Sequence, residues 1–250
     1  MRTRPWREAA RVELLLFLRE PMTVVFALVL PVVFILVLGG VFGDTPDPGG
    51  DVFRGVGGST YYTPAYIGLA AASIGLVILP THLAGYRERG VLRRIRAAGV
   101  PVTAVLVGQI AVALALAAVA AALVIAVSFA TYSPVGAVDA VATAVAAVVG
   151  TLVFALLGIA LGAVLPTARA AQGAGVLLWF VMMMLGGAGP PPEVLPDALN
   201  AVGSVTPLRP LVLALQDPWF GNGWNLGALG VLGGFGAASW AVAAWRLRRD

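Results

Sequence analysis

Residues 86–101 read YRERGVLRRIRAAGVP: five arginines and one glutamate in sixteen positions, set between two long and almost uncharged apolar runs. The placement of that charge decides the fold. The chain of 250 residues is 60% hydrophobic and only 11% charged, whereas a soluble domain carries about 25% charged residues. Such a chain cannot cover itself with polar surface. It reads as a bilayer protein whose charges mark the ends of its spans.

Working outward from 86–101, six stretches come close to or exceed the about 20 apolar residues that a transmembrane helix needs. They are 22–42, 61–84, 101–130, 139–165, 170–187 and 224–245. The expected fold class is therefore all-α, a polytopic membrane protein with six transmembrane helices in a single domain over 1–250. The third and fourth stretches are long enough to tilt or to project beyond the bilayer.

Orientation follows from the arginine bias between spans. With the N-terminus inside, the inner segments hold fourteen of the sixteen arginines, and only Arg54 and Arg209 fall outside. Both termini are then cytoplasmic. Asp44, Asp47, Asp51, Asp139, Glu193, Asp197 and Asp217 fall on the outer side. The first apolar run is too long for a signal core and lacks an A-x-A-like end, so no cleaved signal is expected. The absence of lysine and the richness in Ala, Gly, Val and Leu fit a G+C-rich bacterial genome, which makes the bacterial cytoplasmic membrane the expected location. A net charge of +4 would point to nucleic acid in a soluble protein. Here the positions of the charges assign it to the membrane surface, and no nucleic-acid partner is expected.

Two segments outside the spans carry pattern. Residues 5–20, PWREAARVELLLFLRE, place Trp6, Ala10, Leu14 and Phe17 on one stripe and Arg7, Glu8, Arg11 and Arg19 roughly opposite. Glu13 and Glu20 fall near the apolar stripe. An interfacial helix fits this pattern, with a plain topogenic tail as the alternative. Residues 188–223 hold two helix-like blocks, 193–202 and 207–215, introduced by three prolines. They are apolar enough to dip into the bilayer against the bundle, since irregular backbone at depth survives only against protein or a water-filled cavity. An ordinary extracellular loop is the alternative.

Catalytic chemistry finds little support. A P-loop is impossible without lysine. His82 is the sole histidine, which excludes a multi-histidine metal site; Ser73 lies nine residues before it, with no positioned acid and no nucleophile-elbow motif. The spans show no midplane carboxylate of the kind that a proton-coupled pump uses, and Asp139 sits where it can cap a helix. Three G-x-x-x-G spacings, at Gly39, Gly158 and Gly230, are read as packing signals.

Within 86–101, Val91, Leu92 and Ile95 recur at helical spacing, while Arg89, Arg93 and Arg96 occupy another face. Gly99 and Pro101 end this short amphipathic helix and restart the next span. A topogenic signal needs charge but no periodic apolar face. The periodicity leaves two readings equal: docking in a groove of another protein, or lying on the inner leaflet.

The run resembles the E-R-G-x-L-x-R-like coupling segment of type-2 ABC exporter permeases, on Glu88, Arg89, Gly90, Leu92, Arg94 and Pro101. These are the membrane subunits of antibiotic-resistance, nodulation-factor and polysaccharide exporters. FLREP at 17–21 is similar to that family's aromatic–x–R–[ND]–P approach to the first span, with Glu20 as a mild departure. LGIALGAVLPTARAAQGAG at 157–175 and GPPPEVLPDALNAVGSVTPLRPLVLAL at 189–215 resemble its fourth-to-fifth turn and its helical outer segment. The ordered set covers essentially the whole chain.

The resemblance implies a transport subunit that is not an enzyme on its own. Two copies of a P-loop ATPase subunit, carrying ATP and Mg, would dock below a pair of permeases, identical or related. Residues 86–100 would be the coupling helix, with Arg87, Glu88, Arg89, Val91, Leu92, Arg93, Arg94 and Ile95 at the ATPase. Residues 5–20 would be the elbow helix, with Trp6, Arg11, Glu13, Phe17, Arg19 and Glu20. Spans two and five would line the pathway, which nominates Tyr62, Tyr66, Trp179, Phe180, Met182, Met183 and Met184 in this chain, with plain helix packing as their alternative role. Aromatics and methionines suit an apolar cargo of variable shape, a drug, a lipid or a glycan-like amphiphile. The chain itself would bind no cofactor or metal. Two rival classes remain at this stage, a membrane-embedded lipid-modifying enzyme and a passive channel or scaffold subunit.

Overall fold

The computed structural model describes residues 25–46 and 52–248; the elbow segment 5–20 lies outside them. Six helices are long and apolar enough to cross a membrane: span 1 (Val25–Phe42), span 2 (Gly58–Glu88), span 3 (Val102–Thr131), span 4 (Ala140–Val164), span 5 (Ala168–Leu185) and span 6 (Leu226–Leu247). A helix satisfies its own backbone groups, which is what a segment in hydrocarbon must do. The described residues form no strand, and the chain is an all-α, multi-pass membrane protein. The helix ends sort into an arginine-rich end and an acidic end. Asp139 caps span 4 by accepting the Ala142 N–H at 2.9 Å, and the Thr167 hydroxyl caps span 5 through Ala170 at 3.1 Å.

Span 2 is the hub. Of its most apolar stretch 94% is buried, against 22–50% for the other five. Its sequence, GSTYYTPAYIGLAAAS, is the most polar of the six starts, and a span enclosed by protein has no need to be greasy all round. Two of its hydroxyls are satisfied within the helix: Thr63 Oγ1 donates to the Ser59 carbonyl at 2.7 Å, and Ser73 Oγ to the Leu69 carbonyl at 2.8 Å. Between Ile74 and Ile78 the helix widens into a π turn. Pro80 follows, without an N–H to offer the preceding turn, and the Thr81 hydroxyl takes up the Val77 carbonyl at 2.6 Å.

At that widened turn spans 4 and 5 come closest to the hub. A Cβ on Gly158 would fall inside the Gly75 carbonyl, and one on Gly175 inside the Leu76 carbonyl. The G-x-x-x-G pair Gly158–Gly162 is therefore a real seam against span 2. Among the described residues, nothing lies near either position of the pair Gly230–Gly234.

Span 5 has 18 residues and span 4 has 25, and both meet at the arginine-rich end. Seven residues at 1.5 Å each leave span 5 about 10 Å short of the acidic end. Two outer helices fill that space, Asp197–Ser204 and Leu208–Phe220, bent 85° to each other. They stand where the sequence offered helix-like blocks at 193–202 and 207–215, the first starting later and the second running on to Phe220. The second is deeply buried: Leu211 fills the hollows over Gly68 and Gly150, and Gln216 Nε2 donates to the Tyr61 carbonyl at 3.2 Å.

Candidate functional site

Two places in the bundle carry more than packing. The first is where residues 86–101 meet the spans. The continuous helix of span 2 runs through Tyr86, Arg87 and Glu88, so these residues belong to the span rather than to a separate cytoplasmic helix. The break comes at Gly90, whose φ of 68° lies in the left-handed region that glycine enters without steric cost. The short helix is Val91–Ala97 only.

Its apolar face turns inward. Leu92 is 4% exposed and joins a buried cluster with Tyr86, Leu83, Val105 and Ile159, and Val91 and Ile95 pack on the edge of that cluster. Arg93, Arg94 and Arg96 are exposed. Burial of Leu92 removes it from the surface that a partner could touch. The sequence pattern revealed the face but not which neighbour it served.

Arg87 and Glu88 bind this corner to the span 4–5 turn. Arg87 Nη1 donates to the carbonyls of Gly162 and Leu165, both at 3.0 Å, which are among the orphan acceptors at the end of a helix. Glu88 Oε2 accepts the Ala168 N–H at 2.9 Å, placing a carboxylate at the positive end of span 5. Arg89 Nε turns back to the Gly85 carbonyl at 3.2 Å. Arg87, Glu88, Leu92, Arg93, Arg96 and Pro166 surround a notch of about 140 Å³. Three guanidinium groups against one carboxylate make it electropositive.

The second place is a cavity of about 810 Å³ near the acidic end, between spans 1, 2 and 5 and the loops above them. Tyr62 and Met184 line it, with Phe34, Leu38 and Phe42 from span 1 and the turn Gly189–Pro190–Pro191. The Tyr62 hydroxyl is already spent, donating to the Gly189 carbonyl at 2.9 Å. What faces the space is mostly ring and aliphatic carbon, a lining that sorts by shape.

Below the cavity an aromatic column continues inward. Tyr62 stacks on Tyr66 with ring centres 5.4 Å apart and planes 11° from parallel. Phe34 stacks on Tyr66 at 6.0 Å and on Trp179 at 6.4 Å, and Phe26 meets Trp179 edge-on at 5.3 Å. The Tyr66 hydroxyl and Trp179 Nε1 are buried without a hydrogen-bond partner among the described residues. Of the other nominated residues, Met183 is buried, Met182 half-buried, and Phe180 is 51% exposed on the outer face of span 5. The contribution of span 1 was missed in the sequence, although Phe26, Phe34 and Phe42 recur every eight residues. The six nominated elbow residues lie outside the described residues.

A polytopic helix bundle with a buried central span, an apolar cavity at one end and a basic corner at the other defines a multi-pass membrane protein of transport type. Residues 6–219 match the family described as ABC-2 type transporter, and the chain belongs to that family. It is thus a membrane permease subunit of an ABC transporter, a transport component rather than an enzyme by itself, and membership implies association with an ABC ATPase. No curated protein matches the chain.

Proposed function

We propose that this chain moves a hydrophobic or amphipathic substrate outward across the bacterial cytoplasmic membrane, driven by ATP on a separate P-loop ATPase present in two copies. A second permease, identical or related, completes the pathway. Both termini and the helix Val91–Ala97 lie in the cytoplasm, and the cavity beside Tyr62 opens toward the outside. The arginine distribution supports this orientation. The apolar lining of the cavity supports the cargo class, and the exposed apolar flank around Leu177 and Phe180 supports a second subunit alongside span 5.

One observation carries the reading. The helix Val91–Ala97 is packed on the bundle through Leu92, one turn beyond the end of span 2, whose Arg87 and Glu88 hold spans 4 and 5. A push on its exposed arginines is therefore delivered to three spans at once, and span 2 is the wall of the cavity. ATP binding closes the ATPase pair, displaces this corner, and changes the access of the cavity through differential binding to two states. The contact surface is Arg93 and Arg94, with the electropositive notch beside them as a seat for a carboxylate of the ATPase. ATP and Mg belong to the partner.

Co-purification from the native membrane in mild detergent tests this. A P-loop ATPase should accompany the wild-type chain and be lost from Arg93→Glu/Arg94→Glu, with membrane insertion unchanged. A chain that emerges alone in the presence of an ATP analogue, or an ATPase that stays bound after charge reversal, overturns it.

A further inference from the structure

At the arginine-rich end a groove of about 420 Å³ opens between spans 3, 4 and 6. Its walls are aliphatic, including Leu106, Ile110, Ile159 and Ala243, and Trp240 lines one side with 61% of its surface exposed. Arg96 and Arg248 stand among the lining residues. Both are exposed. Arg96 uses one nitrogen, Nη2, to donate to the Leu247 carbonyl at 3.1 Å, and among the described residues its other donors have no partner. Arg248 makes no ion pair with a described residue.

The dimensions match one lipid leaflet. Trp240 lies eight residues before Arg248 and Ile110 eight residues after Val102, so the groove extends about 12 Å along the helices from its basic mouth. A leaflet contributes about 15 Å of hydrocarbon. Among the described residues, no carboxylate lines the groove; the one carboxylate at that end, Glu88, is held on Ala168.

We propose that this groove holds an anionic glycerophospholipid of the inner leaflet, its phosphate between Arg96 and Arg248 and an acyl chain along Trp240. Basic pockets between spans on the cytoplasmic side favour such headgroups. The lipid would reinforce the join between the helix Val91–Ala97 and the end of span 6, where Arg96 donates to the Leu247 carbonyl. Anionic lipid then sets how firmly the coupling corner is seated. The assignment to the inner leaflet rests on the orientation proposed above.

The test uses the full chain, delipidated in mild detergent, titrated with phosphatidylglycerol or phosphatidylcholine, with retained lipid read by mass spectrometry. Phosphatidylglycerol should be retained in preference. Arg96→Gln/Arg248→Gln should weaken its retention about thirty-fold, the loss of two surface arginine–phosphate attractions. Ala244→Trp, which fills the groove and leaves both arginines, should weaken it too. Val107→Trp, at a lipid-exposed position on the opposite wall, serves if that variant fails to fold. Arg169→Gln, an exposed arginine at the same end but outside the groove, should leave the retention of phosphatidylglycerol unchanged. Equal retention of phosphatidylcholine, unchanged retention in both groove-filling variants, or displacement by inorganic phosphate each overturns the proposal. The chain has no cysteine, so Ala98→Cys labelled from one side of sealed vesicles reads the orientation separately. Labelling from outside would overturn the leaflet assignment and the exporter orientation while leaving the lipid titration to judge the groove.

Discussion

Glu88 and Ala168 are eighty residues apart in the chain, yet the Glu88 carboxylate accepts the Ala168 N–H at 2.9 Å and fastens the end of span 2 to the start of span 5. Beside it Arg87 gathers the last carbonyls of span 4. Three helix ends thus share one corner, and a displacement of the short helix below cannot leave any of them behind.

Glu88→Ala should loosen this corner more than it destabilises the fold. Loss of one capping interaction at an exposed site costs about 1 kcal/mol. The thermal unfolding midpoint should fall by a few degrees at most, while stimulation of the partner ATPase by substrate falls far more. Glu88→Gln, which keeps an acceptor oxygen, should recover most of the stimulation. Equal loss in the two variants would assign the role to the charge instead of the acceptor.

Gly158→Leu should break the seam between spans 2 and 4, because the new side chain has to occupy the space of the Gly75 carbonyl. Overpacking of this kind costs about 1–3 kcal/mol when the neighbours can move, and here the neighbour is backbone. Size-exclusion chromatography should show the loss of a monodisperse species. Gly234→Leu, with open space around it, should elute as wild type.

Tyr62 separates two roles of the cavity wall. Tyr62→Phe removes the hydrogen bond to Gly189 and keeps the stack on Tyr66, a change of about 1 kcal/mol, and export should persist. Tyr62→Ala opens the top of the aromatic column and should shift the preferred cargo toward larger molecules. A competition series of dyes of increasing size, read as export from loaded vesicles, measures the shift.

Arg54 holds the loop that closes the cavity. It pairs with Asp217 at 2.5 Å, reaches Gln216 at 3.2 Å and lies 5.5 Å from the centre of the Phe220 ring. Phe53 and Arg54 both adopt positive φ, 56° and 58°, a conformation that costs non-glycine residues about 1–3 kcal/mol and persists only where contacts enforce it. Arg54→Ala removes those contacts. Hydrogen exchange at residues 52–57 should accelerate at least ten-fold, about 1.4 kcal/mol of lost protection, with spans 3 and 6 unchanged.

The spans were legible because hydrocarbon imposes one demand on every residue it touches. Span 4, expected at 139–165, is Ala140–Val164, with Asp139 as its cap and Pro166 just beyond its end. Span 2, expected at 61–84, runs from Gly58 to Glu88. Ser59, Thr60, Arg87 and Glu88 extend it into regions where protein, not lipid, receives them, and a hydropathy pattern does not register that. The left-handed turn at Gly90 divided a run that the periodicity read as one helix. The inward direction of Leu92 depended on Val105 and Ile159, both distant in sequence. Likewise Tyr62 and Met184 were named for their chemistry, whereas Phe34 and Phe42 reach the same cavity only because span 1 lies across the hub.

The burial of span 2 bears on how the molecule is made. Synthesis runs from the N-terminus, so the helix that ends up enclosed leaves the ribosome before spans 3, 4 and 5, which enclose it. Its tyrosines, serines and threonines must wait at the insertion machinery or in lipid until more than a hundred further residues have been added. Truncation after span 3 should therefore leave a nascent chain that quality-control proteases recognise, although each of its helices is apolar enough to insert.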